Sequence, residues 1–163
     1  MIKDHQFLIR EAREEDTKDI LALIIELAAY EKMENLVVAT EEIVKDSLFQ
    51  QGVAKALIAE YDGRPVGYAI YFFNFSTFTG RAGIYLEDIY VKHEFRGKGY
   101  GKALFGEIAK EALKRGCPRL EWSCLNWNKP SIAFYESLGA KHLDEWRTYR
   151  LTGENIRKLA GEE

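Results

Sequence analysis

Apolar positions recur with two different periods along the chain, and the period separates predicted strands from predicted helices. The short apolar runs in "QFLIREA", "AGIYLEDIYV", "RLEWSCL" and "TYRLT" are typical of β-strands. A further pair of runs, "AKALIAEYDGRPVGYAIYFF", is interrupted by Asp62-Gly63. That dipeptide between two apolar runs predicts a tight β-hairpin.

Helical spacing of apolar residues predicts four helices. The first begins at Asp16 or Thr17, and its apolar stripe consists of Ile20, Leu21, Ile24, Ile25, Leu27 and Ala28. The second runs from Thr40 to about residue 48, because "TEEI" resembles a capping arrangement. The third covers residues 101–115, where the apolar positions form one stripe. The fourth is "KPSIAFYESLG", closed by Gly139.

The predicted order of elements is β-α-α-β-β-β-α-β-α-β. This order indicates an α/β (α+β) protein whose sheet opens with largely antiparallel strands. The chain has 163 residues and no repeat, low-complexity tract or linker. We therefore expect a single domain over residues 1–163, long enough to bury an ordinary core.

Charge is distributed unevenly. The net charge is -3, but the first 80 residues hold 8 Lys or Arg against 14 Asp or Glu, and the rest hold 15 against 12. A basic second half suits a phosphate-bearing ligand and an acidic first half suits a cation, although ordinary solvated surface explains the charges equally well. An acidic chain overall argues against nucleic acid as a partner.

Other composition signals narrow the class of protein. Neither "MIKDHQFLIR" at the start nor any later segment has the apolar run of a signal peptide or a membrane span. Cys117 and Cys124 are too few for a disulfide framework, and His5, His93 and His142 are scattered. We expect no metal, no membrane and a cytoplasmic location.

The stretch "EFRGKGYGKALF" places three glycines at alternate positions just before a predicted helix. A helix N-terminus attracts phosphate, and glycine lets the main chain approach phosphate oxygens closely. Arg96, Lys98 and Lys102 add positive charge. The spacing fits neither of two common nucleotide motifs: a P-loop needs Ser or Thr where Ala103 stands, and a dinucleotide fingerprint needs glycine where Lys102 stands. A merely flexible glycine turn is the alternative.

The segment from Arg96 to Gly101 resembles the Arg/Gln-x-x-Gly-x-Gly/Ala pyrophosphate loop of the GNAT N-acetyltransferase superfamily. "YLEDIYV" and "NWNKPSIAFYESLGA" are similar to that superfamily's cofactor strand and Asn…Tyr segment. The chain looks most like the spermidine/spermine (diamine) acetyltransferases and their thialysine-acetylating relatives, from "IREA" to "LTGENIRKLA". The resemblance implies a GNAT fold, in which a mixed, largely antiparallel central sheet is splayed at the cofactor strand and flanked by helices.

The resemblance implies acetyl-coenzyme A as co-substrate and no metal. It also implies which positions contact the cofactor. The pantetheine arm would pair with the main chain of Ile89, Tyr90 and Val91. The pyrophosphate would lie in the following loop, at Arg96, Gly97, Lys98, Gly99, Tyr100, Gly101 and Lys102. Further contacts would come from Asn128, Ser131 and Tyr135.

Catalytic and acceptor residues are implied in the same way. Glu87 would be the general base and Tyr135 the general acid, and the substrate-binding residues would be Tyr30, Glu31, Glu87, Glu121, Trp122, Ser123 and Glu145. Strand alternation predicts that Glu87 shares a face with Ile89 and Val91 while Asp88 points the other way. A carboxylate inside an apolar strand is costly unless it is paired or functional, which favours a role for Glu87. Tyr135 could alternatively be a core tyrosine.

The expected activity is acetyl transfer to a primary amine of a small polycation, a diamine or polyamine such as spermidine or spermine. Alternatives are acetylation of thialysine or another amino acid, of an aminoglycoside, or of a protein. From another class, the chain could be a non-catalytic coenzyme A-binding sensor, although the presence of both Glu87 and Tyr135 argues against that. "HLDEWRTYR" is shorter than its counterpart in the polyamine enzymes, which weakens the match of Glu145. The resemblance also implies a homodimer.

Overall fold

The computed structural model describes residues 6–162, which divide into two compact units, one up to residue 123 and one from residue 124. The strands of the first unit are β1 (Phe7–Glu11), β2 (Lys55–Tyr61), β3 (Arg64–Ser76), β4 (Arg81–Val91) and β5 (Leu120–Trp122). Its helices are α1 (Thr17–Tyr30), α2 (Glu41–Lys45) and α3 (Tyr100–Lys114). The second unit holds α4 (Lys129–Ser137) and α5 (Gly153–Ala160).

The five strands form one sheet in sequence order, β1-β2-β3-β4-β5. The first three pairings are antiparallel, and β5 joins β4 in parallel. A parallel neighbour requires a crossover, and α3 lies in the chain between β4 and β5. The prediction of a mixed, largely antiparallel sheet with flanking helices is therefore confirmed.

The turn between β2 and β3 is the predicted tight hairpin. Tyr61 faces Arg64 across the pair, so only Asp62 and Gly63 form the loop. Both have positive φ, 49° and 72°, as a two-residue type I′ turn requires.

The first face of the sheet packs against α1 and α2. The buried cluster there consists of Ile20, Leu23, Val44, Ala56, Ile58, Tyr68 and Ile70. Leu57 and Ala59 alternate with the β2 members of this cluster and are also buried, so the opposite face of the sheet is covered too. Because α3 contacts β2 and β4 and buries Leu104 and Ile108, it covers that second face.

The first helix starts at Thr17, as predicted, and an ion-pair network fixes its start. Arg10 of β1 binds Asp16, the residue before the helix, and Glu60 of β2, both at 2.7 Å. The hydrogen bonds from Arg10 lower the pKa of the Asp16 carboxyl below its ordinary value. The network ties the entrance of α1 to the first two strands.

The predicted second helix has the expected start but a different course. The Thr40 hydroxyl accepts a hydrogen bond from the Ile43 N–H at 3.3 Å, which caps α2. Regular α-helix ends at Lys45, and residues 46–50 form a π-helical turn instead. Such turns commonly occur as single turns within α-helices.

The prediction of a last strand at "TYRLT" is wrong. Residues 148–152 have no regular secondary structure, and the unpredicted helix α5 follows them. A strand needs a neighbour for its backbone groups, and among the described residues no strand pairs with this segment. The helix is supported by an ion pair between Glu154 and Lys158, one turn apart, at 2.8 Å.

Candidate active site

Among residues 6–162, no strand pairs with the outer edge of β4 beyond Leu86, so this part of the strand is an open edge of the sheet. Parallel pairing with β5 covers Ile84–Leu86 only, although β4 continues to Val91. The Lys92 N–H donates to the Val66 carbonyl of β3 at 2.8 Å. Since hydrogen-bonded pairs alternate in an antiparallel ladder, the backbone groups of Tyr90 also face β3. Those of Ile89 and Val91 therefore face the outer edge, where an extended amide chain can pair with them.

The glycine-rich loop leads from this edge to the start of α3. Gly97 and Gly99 have φ of 76° and 83°, which side-chain-bearing residues rarely adopt. Apart from the adjacent residues and the backbone of the same helix, a Cβ built at residue 97, 99 or 101 would meet no heavy atom of the described chain within 4 Å. The N–H groups of the first turn of α3 point along its axis towards this space. The loop therefore leaves room for an anion at a positive helix end.

Lys98 and Arg96 hold defined positions beside the loop. The Lys98 ammonium lies over the rings of Tyr61 and Phe95, 5.6 and 5.3 Å from their centroids. Arg96, predicted to contact pyrophosphate, donates from Nε to the Val91 carbonyl at 2.9 Å. Its guanidinium carbon lies 4.7 Å from the centroid of the Tyr30 ring. Positive charge is thus held on both sides of residue 97.

The end of α1 carries the predicted acceptor-side residues. Tyr30 is the last residue of α1 and Glu31 is its C-cap. Burial raises the pKa of the Glu31 carboxyl above its ordinary value, and the nearby charge of Asp88 raises it further. The charges of the Glu31 and Asp88 carboxylates therefore influence each other at the junction of α1 and β4.

Sequence reasoning missed Asp88. Its carboxylate accepts a 2.7 Å hydrogen bond from the hydroxyl of Tyr68, which is fully buried. Burial raises the pKa of Asp88, and the bond from Tyr68 opposes that rise. One signal in the sequence could have identified Asp88. It lies two residues before Tyr90 and so shares a face of the strand with Tyr90, which pairs with Tyr68 of β3. An acidic residue on that face of the strand had to be partnered or functional.

The predicted alternation through Glu87 is interrupted. The register of β4 against β3 shifts between Ile70 and Tyr71, which face Asp88 and Leu86, so Glu87 is the extra residue of a β-bulge. The side of the sheet on which the Glu87 side chain lies therefore cannot be derived from Ile89 by strand alternation. Glu87 is exposed and lies in sequence between the last β5-paired residue of β4 and the open edge.

The predicted substrate segment on β5 lies beside the first half of β4. Glu121 faces Tyr85 in the parallel pairing and forms an ion pair with Arg119 at 3.1 Å. The Ser123 and Tyr85 hydroxyls are 2.7 Å apart. Trp122 packs edge-on against a ring of α3, that of Phe105, at 5.0 Å. The structure brings this segment next to residues 84–86 rather than to the open edge.

The remaining predicted residues lie in the second unit. Asn128 caps α4, because its side-chain oxygen accepts a hydrogen bond from the Ser131 N–H at 3.4 Å. Tyr135 lies within α4, seven residues further along the chain. Glu145 lies in the irregular segment before α5 and is exposed. Its match to a late acidic residue stays a prediction.

Among residues 6–162, no group of three or more His, Cys, Asp or Glu side chains is arranged to hold a metal ion. None of the helices in the same residues combines the length and apolar character needed to cross a bilayer.

A mixed sheet with an open strand edge that leads into a glycine-lined helix start defines an acyl-coenzyme A-binding class of protein. Comparisons with known proteins give the particular family. The acetyltransferase (GNAT) family profile matches residues 24–140. The chain belongs to the GNAT family of acetyltransferases, which use acetyl-coenzyme A as the acetyl donor.

The chain is similar to curated and structurally solved proteins along nearly its full length. A thialysine N-epsilon-acetyltransferase of Sus scrofa is 43% identical over 94% of this chain and 97% of its own. A human spermidine/spermine N(1)-acetyltransferase-like protein is 32% identical over 96% of this chain but only 24% of its own. Among solved structures, an integron cassette protein of V. cholerae has a TM-score of 0.80 at 27% identity, covering 95% of this chain and 98% of its own.

Proposed function

We propose that this chain transfers the acetyl group of acetyl-coenzyme A to the primary side-chain amine of a small amino acid of the thialysine type. The observation that carries the substrate class is the full-length similarity to the porcine thialysine enzyme. The sequence alone favoured polyamines, and spermidine or spermine is now the second candidate. It is supported by the human polyamine-type relative and by the carboxylates Glu31 and Asp88.

The described residues fit the acetyl donor. The outward backbone groups of Ile89 and Val91 suit the amides of pantetheine, in the way that an added strand pairs with a sheet edge. The space above residues 97–101 suits pyrophosphate, which the N–H groups of α3 and the ammonium of Lys98 would hold. Cofactor contacts in the second unit are assigned to Asn128, Ser131 and Tyr135.

Glu87 and Tyr135 carry the proton transfers. An alkylammonium has a pKa of roughly 10 and is not nucleophilic until it loses a proton, which Glu87 accepts directly or through water. The amine nitrogen then bonds to the acetyl carbon while the carbon–sulfur bond breaks. The Ile89 N–H stabilises the charge that develops on the acetyl oxygen, and Tyr135 donates its proton to the departing sulfur.

The acceptor is held by acidic and aromatic residues near this point. Tyr30, Glu31 and Asp88 receive the cationic part of the acceptor at the end of α1. Glu121, Trp122, Ser123 and Glu145 are further candidates, carried by β5 and by the segment before α5. Holding the amine beside the acetyl carbon contributes a large part of the rate gain.

An amine panel tests this proposal. Purified protein with acetyl-coenzyme A would be offered thialysine, lysine, spermidine, spermine, an aminoglycoside and a lysine peptide, with thiol release as the readout. Reactions without amine and reactions without protein give the background rate of thioester hydrolysis. We expect thialysine to give the highest kcat/KM. A higher value for spermidine would favour the second candidate, and thiol release at the background rate with every amine would favour a coenzyme A-binding sensor.

We also propose that the chain forms a homodimer through the segment from Leu143 to Leu159. Large apolar side chains are exposed along it: Leu143, Trp146, Tyr149, Leu151, Ile156 and Leu159. Such a concentration of exposed apolar residues is typical of an interface. Light scattering after size exclusion would give the mass, and Trp146→Glu with Leu151→Glu should shift a dimer towards monomer. A monomeric wild-type protein would contradict the proposal.

A further inference from the structure

Two layers of contacts tie the end of α1 to the strand that leads into the glycine loop. In the inner layer, Glu26 accepts hydrogen bonds from the Tyr90 hydroxyl at 3.2 Å and from Lys92 Nζ at 2.9 Å. Tyr30 lies one turn further along the same side of α1. The outer layer is the guanidinium of Arg96, which lies over the Tyr30 ring and 5.5 Å from the Tyr90 ring centroid.

Arg96 is held in place from its own side of this contact. Its Nε donates to the Val91 carbonyl at the end of β4, so the guanidinium plane is fixed relative to the strand. Arginine can donate from its edge and stack with its face at the same time, whereas a lysine ammonium cannot do both with this geometry. The side chain thus connects the cofactor loop, the cofactor strand and α1.

The end of α1 needs such a contact because it stops abruptly. Lys32 has a φ of 59°, a conformation that costs energy for a residue with a side chain. The turn is closed by hydrogen bonds from the Lys32 and Met33 N–H groups to the Ala29 and Ala28 carbonyls. Glu31 therefore sits on a short, constrained turn whose position relative to β4 depends on what holds Tyr30.

We propose that Arg96 is a positioning residue for the acceptor end of the site, in addition to any contact with the donor phosphates. Its guanidinium, fixed to the Val91 carbonyl, holds the Tyr30 ring and with it the Glu31 carboxylate against the strand that carries Asp88. This inference rests on the proposed function, since it assumes that the acceptor binds at Tyr30 and Glu31. It predicts that a change at the donor loop alters acceptor affinity.

The decisive comparison is between Arg96→Lys and Lys98→Gln. Arg96→Lys keeps the positive charge near the phosphates but loses the combined donation and stacking. We expect its KM for acetyl-coenzyme A to change less than about twofold, and its KM for the acceptor to rise about three- to tenfold, as loss of contacts of cation–π strength implies. Lys98→Gln should raise the KM for acetyl-coenzyme A and leave the KM for the acceptor nearly unchanged. The reason is that Lys98 contacts Tyr61 and Phe95 rather than α1.

A double-mutant cycle with Tyr30→Leu locates the effect. If Arg96 acts through the Tyr30 ring, adding Arg96→Lys to Tyr30→Leu should raise the acceptor KM no further. The inference would be overturned if the effects of the two substitutions on the acceptor KM multiplied. It would also be overturned if Arg96→Lys alone had the acceptor KM of the wild type.

Two measurements without turnover keep this test separate from that of the proposed function. Calorimetry with coenzyme A should show similar affinity for wild type and Arg96→Lys. Urea unfolding of the same cycle should show non-additive free energies for Arg96 and Tyr30. If the wild type acetylated no amine, the proposed function would fail. Independently of that result, additive unfolding free energies would show that Arg96 and Tyr30 are not coupled, which would overturn the inference.

Discussion

The buried hydroxyl of Tyr68 donates a hydrogen bond of 2.7 Å to the carboxylate of Asp88. Because Tyr68 belongs to the buried cluster beneath α1, this bond connects that cluster to an acidic residue near the end of the helix. It stabilises the ionised carboxylate, while burial disfavours it, and burial is the larger effect on the pKa. The folded protein thus holds a carboxyl whose pKa is raised, next to a second one at Glu31.

Replacing Asp88 by Asn should change the pH dependence of stability. Because the folded-state pKa of Asp88 lies above its ordinary value of 3.8, the folded chain binds this proton more tightly than the unfolded chain. The contribution of Asp88 to the unfolding free energy of the wild type therefore falls as pH rises through that interval, by about 1.4 kcal/mol for each unit of pKa elevation. Asp88→Asn lacks this loss, so its stability relative to wild type should increase between pH 4 and pH 7.

Urea unfolding at several pH values would measure this difference, and other titrating groups cancel in the comparison. Tyr68→Phe is the matched variant. It removes the donor that lowers the Asp88 pKa, so its stability should fall with pH more steeply than that of the wild type. If the difference in unfolding free energy between wild type and Asp88→Asn were constant across the pH range, Asp88 would have an ordinary pKa.

Local patterns in the sequence were sufficient for much of this fold. The Asp62-Gly63 hairpin, the start of α1 at Thr17 and the helix after the glycine loop each depend on neighbouring residues, and all were confirmed. The bulge at Glu87 depends instead on the register of two strands, so alternation within β4 could not reveal it. Asp88 was overlooked for a different reason: alternation placed it on the face of Tyr90, and that face was not considered part of the site.

The C-terminal prediction failed for a related reason. "TYRLT" has the composition of a strand, but a strand forms only where a partner supplies hydrogen bonds. Single-chain sequence patterns cannot say whether that partner exists. In the described residues Tyr149 and Leu151 are exposed, and no strand among those residues pairs with this segment.

If phosphate approaches the main chain closely, substitutions at two glycines of α3 should have different effects on acetyl-coenzyme A binding. Gly101 and Gly106 both have helical backbone, and neither has a neighbour within 4 Å of a built Cβ. Gly101→Val should fold normally but weaken acetyl-coenzyme A binding by at least tenfold, because the branched side chain occupies the phosphate space. Gly106→Val, a turn and a half further along the helix, should bind as the wild type does.

Calorimetry would measure both affinities, with thermal unfolding as the check on folding. Gly99 is unsuitable for this experiment, because its φ of 83° would make any substitution strained regardless of ligand. Equal affinities for Gly101→Val and Gly106→Val would place the phosphates away from the start of α3.

Removal of the proposed base should alter the pH–rate profile. Glu87→Gln should lower kcat/KM by a hundredfold or more near neutral pH, the usual size of such an effect. Activity should partly recover as alkali deprotonates the amine without assistance. Glu107→Gln, a surface carboxylate that pairs with Lys110, is the control for loss of one negative charge. A Glu87→Gln profile parallel to that of the wild type would assign the proton transfer to another group.

The proposed acid gives a different signature. Tyr135→Phe removes only the hydroxyl, so the departing sulfur must leave without a proton donor, and kcat should fall by about a hundredfold or more. Coenzyme A affinity should change little, since the ring is kept. Steady-state rates combined with calorimetry separate these quantities. A variant with weaker coenzyme A binding and unchanged kcat would make Tyr135 a binding residue instead.

The last prediction concerns the two carboxylates at the acceptor end. Because burial and Asp88 raise the pKa of Glu31, a fraction of Glu31 is protonated at pH values where an ordinary glutamate is fully charged. A cationic acceptor binds best to the charged form, so the acceptor KM should fall as pH rises through the Glu31 pKa. Between pH 5 and 7 an amine of pKa roughly 10 stays protonated in solution, so titration of the acceptor amine has little influence on this change.

Asp88→Asn separates the two carboxylates. Without the neighbouring charge, Glu31 should ionise at lower pH, and the fall in acceptor KM should move to lower pH with it. Glu31→Gln should raise the KM several-fold at neutral pH, as expected for a partly exposed charge pair, with an effect that shrinks at high salt. It should also remove the Glu31-dependent part of the pH change. A KM profile that is the same in wild type, Asp88→Asn and Glu31→Gln would place the acceptor's cationic group away from the end of α1.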